Sequence, residues 1–159
     1  MKRGYKGFRE LNNDMMPTMA SVDADDVRRT SDAFYRAFEA LDLARMENVW
    51  SHDEHVVCVH PGWNRLVGWG DVRKAFEQIF ANTVDIKFRI EESSLRVSGD
   101  LAAMSVIENL RSRVADGGVV GQVLAVNIFE RQEGVWLMVC HHATPFEAQP
   151  TPPSDGLVH

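Results

Sequence analysis

The chain is poor in the residues and motifs that would place it quickly. It has 159 residues but only two cysteines, Cys58 and Cys140. Two cysteines make no disulfide framework, and both lie in apolar runs, where they read as buried reduced thiols. Basic residues number 17 against 23 acidic ones, a net charge of -6, and most are scattered. The one basic cluster is Lys2, Arg3, Lys6 and Arg9. That balance argues against nucleic acid or an anionic membrane surface as partner. No apolar run approaches the ~20 residues of a membrane span. Residues 1–20 lack the apolar core of a secretory signal, and no Asn-X-Ser/Thr acceptor occurs, so the expected location is cytoplasmic. Gly68-Trp69-Gly70 is neither a phosphate loop nor a dinucleotide fingerprint. Gly-X-Ser-X-Gly elbows and zinc-type cysteine clusters are missing as well.

What is present is an ordinary globular composition, with 45% hydrophobic and 25% charged residues. Residues 1–20 are aperiodic and read as an arm; 146–159 are Pro-rich and read as a tail; 21–145 form one domain. Ser21-Val22-Asp23 offers caps for a first helix, with Val27, Phe34, Ala37, Phe38 and Leu41 at helical spacing. Asp42 caps a short second helix, and Asp71 a third that carries Val72, Ala75, Phe76, Ile79 and Phe80 on one side. After Asn82 the grammar changes to four strand-like runs: 86–98, 101–113, 119–132 and 135–142. Helices first and an antiparallel meander after predict an α+β domain.

Two-residue turns at Gly99-Asp100, Gly117-Gly118 and Glu133-Gly134 fix a register. They set Glu108 opposite Asn127, Asn127 opposite Cys140, His142 opposite Ala125, and Met138 opposite Phe129. One face then gathers Met104, Val106, Glu108, Leu110, Ala125, Asn127, Phe129, Trp136, Met138, Cys140 and His142. An apolar face with a few polar groups is the usual wall of a ligand pocket. The other face holds Ile107, Leu124, Val126, Ile128, Leu137, Val139 and His141, and needs a cover such as a second subunit. A single wrong turn length would exchange the faces beyond it.

The order of elements resembles the nuclear-transport-factor-2-like superfamily, and within it the SnoaL-like and ketosteroid-isomerase-like proteins. The residues that carry this are Phe38-Glu39-Ala40-Leu41-Asp42, Met46-Glu47-Asn48-Val49-Trp50-Ser51-His52-Asp53, Val57-Cys58-Val59-His60-Pro61-Gly62, Leu66-Val67-Gly68-Trp69, and Gly134-Val135-Trp136 through Ala143. The resemblance implies a cone: a curved antiparallel sheet wrapped on three helices, with a pocket at its open end and dimers formed through the outer sheet face. It implies catalytic and non-catalytic members alike. Isomerase-like members end the strand after helix two in a carboxylate base before Pro; here His60 stands there, and a neutral imidazole can serve as a base near neutral pH. Steroid-type members also carry a phenol one turn before the end of helix one. That region reads Ala37-Phe38 with Tyr35 off register, so the phenol donor is not expected here.

The resulting expectation is a small-molecule pocket protein with no cofactor or metal, doing acid–base chemistry on an apolar carbonyl compound as an isomerase, cyclase or hydrolase. The alternative is a non-catalytic ligand-binding or dimeric module. The catalytic candidates are His60, Glu108 and His142. The ligand-binding candidates are Trp63, Asn127, Phe129, Met138 and Cys140. A two-histidine, one-carboxylate metal site would need His142 with His60 and Glu108, while His52-Asp53-Glu54-His55 reads as a solvated helix-to-strand connection.

Overall fold

The computed structural model describes residues 18–146. The basic cluster and nearly all of the expected arm and tail lie outside the described residues. Three helices are followed by a long meander: α1 Met19–Glu39, α2 Leu43–Val49, β1 Val57–Val59, β2 Leu66–Val67, α3 Trp69–Asn82, β3 Thr83–Ser98, β4 Leu101–Val114, β5 Gly117–Gln132 and β6 Val135–Pro145. The six strands form one sheet in the order β2-β1-β6-β5-β4-β3, antiparallel except where β1 runs parallel to β6. The architecture is α+β, as the pattern of elements implied.

α1 starts earlier than the cap candidates Ser21-Val22-Asp23 suggested. Thr18 is the N-cap, and its hydroxyl accepts from the Ser21 N–H. The helix buries Val27, Ser31, Phe34, Tyr35 and Phe38 along one stripe. It ends at Glu39 in a reverse turn: the Asp42 N–H donates to the Ala37 carbonyl and the Leu41 N–H to that of Phe38, with Leu41 left-handed at φ 51°. Asp42 then caps α2 by accepting from the Arg45 N–H at 3.0 Å. At α3 the cap position is Gly68, at φ 84°, and Asp71 sits in the first turn, where it complements the helix dipole. Only glycine adopts the Gly68 conformation at little cost.

The core is aromatic. Phe34 makes edge contacts with Tyr35, Phe38, Trp50 and Phe76, so α1, α3 and the Trp50 segment meet on the inner face of the sheet. Trp50 and Trp136 are buried core residues.

Two departures from the expected register matter. The β4–β5 turn falls at Ala115-Asp116, with Val114 opposite Gly117, so Met104 rather than Glu108 faces Asn127. The slip along β4 is even, and Glu108 and Asn127 remain on the inner face. In β6 the regular pairing of Phe129 with Met138 gives way to Ile128 with Cys140, leaving Val139 as an extra residue. This bulge exchanges the faces beyond it. His141 turns inward opposite Asn127, while Cys140 and His142 turn to the outer face.

Candidate functional site

The site begins where β1 ends. Val59 pairs with His142 of β6, and the chain then turns at His60-Pro61-Gly62-Trp63. Proline second, glycine third at φ 80°, and the Trp63 N–H donating to the His60 carbonyl at 2.9 Å make this a type II turn. The turn holds His60 buried (4% exposed), against Phe76 and under the edge of the Trp63 ring, whose centroid is 5.3 Å away. The nearest polar partner of the His60 ring among the described residues is the Cys58 thiol, 3.5 Å from Nε2.

A cavity of about 180 Å³ opens beside it. Its walls are Phe34 and Phe38 of α1, Ile79 of α3, Ile86 and Phe88 of β3, Leu110 of β4, and Pro61 and Trp63 of the turn. Three titratable groups interrupt the apolar lining: His60, Glu108 and His141. The two imidazole centroids are 6.1 Å apart.

Behind the lining runs a buried chain of hydrogen bonds. The Tyr35 hydroxyl donates to Glu108 Oε1 at 2.7 Å. The Asn127 amide donates to the Tyr35 oxygen at 3.2 Å, and Asn127 Oδ1 lies 2.6 Å from His141 Nδ1. Burial pushes the Glu108 carboxyl up to about 7, against the Tyr35 hydrogen bond, which pulls it down. Burial also holds His60 down to about 4. His141 falls to about 3, through burial first and then the neighbouring His60 and His142. Both imidazoles are therefore neutral at pH 7, while Glu108 exchanges a proton near it. The Tyr35 phenol is raised, chiefly by burial and then by Glu108, and keeps its proton.

The cavity thus brings together His60, Glu108 and Trp63 of the sequence candidates. Asn127 is fully buried one hydrogen bond behind the wall. Phe129 and Met138 are fully buried core residues and do not line the cavity. Cys140 and His142 lie on the outer face because of the bulge. His142 therefore cannot join His60 and Glu108 around one ion, and among the described residues no cluster of three His, Cys, Asp or Glu side chains could hold a metal.

Two site residues went unrecognised in the sequence. Tyr35 lies one turn before the end of α1, because the helix stops at Glu39 and not beyond it. A signal for it existed: Tyr35 stands eight residues after Val27 and four after Ser31, on the same helical stripe. His141 had no such signal, since a bulge carries no side-chain signature.

A six-stranded, mostly antiparallel sheet packed on three helices, with a small cavity among them, is the nuclear-transport-factor-2-like fold. The SnoaL-like domain family matches residues 27–146, and the chain belongs to that family. Among solved structures it is similar to a candidate dehydratase of the NTF2-like family from Streptomyces avermitilis. The two are 30% identical with a TM-score of 0.75, over 82% of this chain and 100% of that one. A candidate calcium/calmodulin-dependent protein kinase type II association domain from Thiobacillus denitrificans is also 30% identical, with a TM-score of 0.67, over 76% and 94% of the two chains. Among curated proteins, the F-box protein SKIP8 of Arabidopsis thaliana is 25% identical over 111 residues, 70% of this chain. The chain spans about half the length of that relative, 46% of it. Among the described residues no helix is long and apolar enough to cross a membrane.

Proposed function

We propose that the cavity binds a small, largely apolar carbonyl compound and moves protons on it without a cofactor. The observation that carries this is the convergence of a neutral His60 and a proton-exchanging Glu108 on one apolar cavity. Titratable groups shifted by burial and gathered in a cleft are candidates for acid–base chemistry. In this reading His60 takes a proton from the carbon beside the carbonyl. Glu108, protonated on the oxygen that Tyr35 does not engage, donates to the carbonyl oxygen as negative charge develops there. Lowering His60 from 6.5 to about 4 makes imidazolium roughly 3 kcal/mol harder to form. The enolate charge beside it offsets that cost, so the two must form together. From the same enolate the His60 imidazolium returns its proton, either to a leaving β-hydroxyl that departs as water, as in a dehydratase, or to another carbon, as in an isomerase. The similarity to a candidate dehydratase supports this class.

The test is deuterium incorporation beside the carbonyl of cyclohexanone-sized ketones in D2O, followed by proton NMR. Exchange by the native protein should fall at least 100-fold in His60→Ala and in Glu108→Gln. Equal exchange in a folded His60→Ala variant would overturn the role of His60.

A second reading, a non-catalytic dimeric module, draws on the outer sheet face. Val126 is 40% exposed there, amid half-buried Ile107, Leu124, Ile128 and Leu137. Such a face on a soluble domain favours a second copy of the chain as its cover. Light scattering at micromolar concentration should give a dimeric mass, and Val126→Asp a monomeric one. A monomeric mass for the native protein would remove this reading. Neither reading calls for nucleic acid or membrane as a partner.

A further inference from the structure

The chain of hydrogen bonds behind the cavity has a direction, and that direction fixes a tautomer. The Tyr35 hydroxyl has one proton, and it goes to Glu108 Oε1. The Tyr35 oxygen therefore accepts from Asn127, which must present its NH2 group on that side. The other end of the Asn127 amide is then the carbonyl, an acceptor only. At 2.6 Å from it, His141 Nδ1 must carry the hydrogen. A neutral imidazole holds one N–H, so Nε2 is left as a bare acceptor. Among the described residues Nε2 has no partner, although His141 is 3% exposed and its ring lines the cavity.

We propose that Asn127 locks His141 as its Nδ1–H tautomer, so that Nε2 selects one-ring ligands that carry a hydroxyl group. This rests on the reading of the cavity as a ligand site and narrows it to a hydroxyl-bearing class. The ring size comes from the volume: about 180 Å³, close to the ~150 Å³ that admits benzene in an engineered apolar cavity. The hydroxyl comes from this unpartnered acceptor: the His141 ring lines the cavity with Nδ1 engaged by Asn127, and a ligand O–H supplies Nε2 with a donor. The other polar groups divide the remaining roles. Glu108 Oε1 already accepts from Tyr35, leaving its second oxygen for a carbonyl, and His60 has the Cys58 thiol beside it. Asn127 itself touches no ligand and acts as a positioning residue. His141 is the residue that determines specificity.

Two measurements test this, with phenol and its methyl ether, anisole, as probes. First, long-range proton–nitrogen NMR of the native protein should show His141 protonated on Nδ1 and bare on Nε2, with the Nε2 resonance moving when phenol is added. Second, NMR titration should show phenol binding about tenfold more tightly than anisole, the factor expected for one hydrogen bond. His141→Phe should bring the two affinities together while keeping the aromatic wall. An Nε2–H tautomer in the native protein would overturn the proposal, and that spectrum needs no variant to fold. Equal binding of phenol and anisole would overturn it too, yet leave the cavity standing as a ligand site. If neither probe moves a cavity resonance, the ligand reading falls and takes this proposal with it.

Discussion

Replacing Glu108 by glutamine should make the protein more stable at alkaline pH and leave it nearly unchanged at acid pH. The carboxyl rises from 4.5 to about 7 on folding because burial disfavours its charge. Between these values the folded chain holds a proton that the unfolded chain has released. Stability from this group is therefore fully present below 4.5 and is lost as pH rises to about 7. At about 1.4 kcal/mol per pH unit, the loss by pH 8 is roughly 3 kcal/mol. Glutamine has nearly the same shape and can still accept from Tyr35, but it never ionises. His60 and His141 behave oppositely: their folded values lie below 6.5, so their stability is present above 6.5 and lost as pH falls toward 4 and 3. Those terms are common to both proteins and cancel in the difference. Urea unfolding at pH 4.5, 6, 7 and 8 measures that difference. It should grow with pH in favour of Glu108→Gln, reaching up to ~3 kcal/mol at pH 8. A fixed packing penalty would move the whole curve and not its slope. A difference that stays flat from pH 4.5 to 8 would refute a raised Glu108.

Tyr35→Phe should cost about 1–3 kcal/mol in urea unfolding, because it strands both Glu108 and the Asn127 amide. The cost should be larger at pH 8, where the carboxylate has lost the one donor that favours it. His142→Ala should change stability by no more than about 0.5 kcal/mol, since His142 is exposed. His141→Ala should cost more than about 2 kcal/mol, because it opens space beside Phe34 and leaves Asn127 Oδ1 without its donor. Glu133 sits left-handed at φ 50° before Gly134 at φ 83°, the backbone of a type I′ turn, so Glu133→Asn should raise the melting temperature by about 2–4 °C.

The sequence made His60 legible because its signals are local. The β-rich run His55–His60 ends on it, and a Pro-Gly turn follows at once; proline and glycine announce the turn type by their own dihedral preferences. The helical stripe Val27, Phe34, Phe38 and the strand starts at Leu101 and Val135 were legible for the same reason. Helix ends were less so. Thr18 and Gly68 take the cap positions expected at Ser21-Val22-Asp23 and at Asp71, since a cap depends on where the chain enters the helix as well as on which side chains stand near. Tyr35 was hidden by one such end: shortening α1 to Glu39 is what places the phenol a turn from its terminus. At Asp116-Gly117-Gly118 three turn-formers stand in a row, and nothing in the residues says which pair the hairpin uses. The chain uses Ala115-Asp116, and Gly117 opens the next strand at φ 153°.

The bulge at Val139 was illegible for a deeper reason, and it matters most to the chemistry. Alternation along a strand is a rule of parity, and a single extra residue inverts it for everything that follows. His141 and His142 are the same residue type, so composition cannot say which faces in. What decides is context on three sides. Met138 must stay inward beside Trp50, and its carbonyl accepts from the Ser51 N–H at 2.9 Å. Cys140 must align with Val57 for β1 to pair in parallel. Asn127 must find a donor for its buried carbonyl. With regular alternation from Met138, Cys140 would face inward, His142 would stand in the cavity wall, and Asn127 would meet the Cys140 thiol, a weak donor. The bulge instead delivers an imidazole N–H to Asn127. One backbone irregularity thereby completes the hydrogen-bond chain to Glu108 and chooses which histidine the cavity presents.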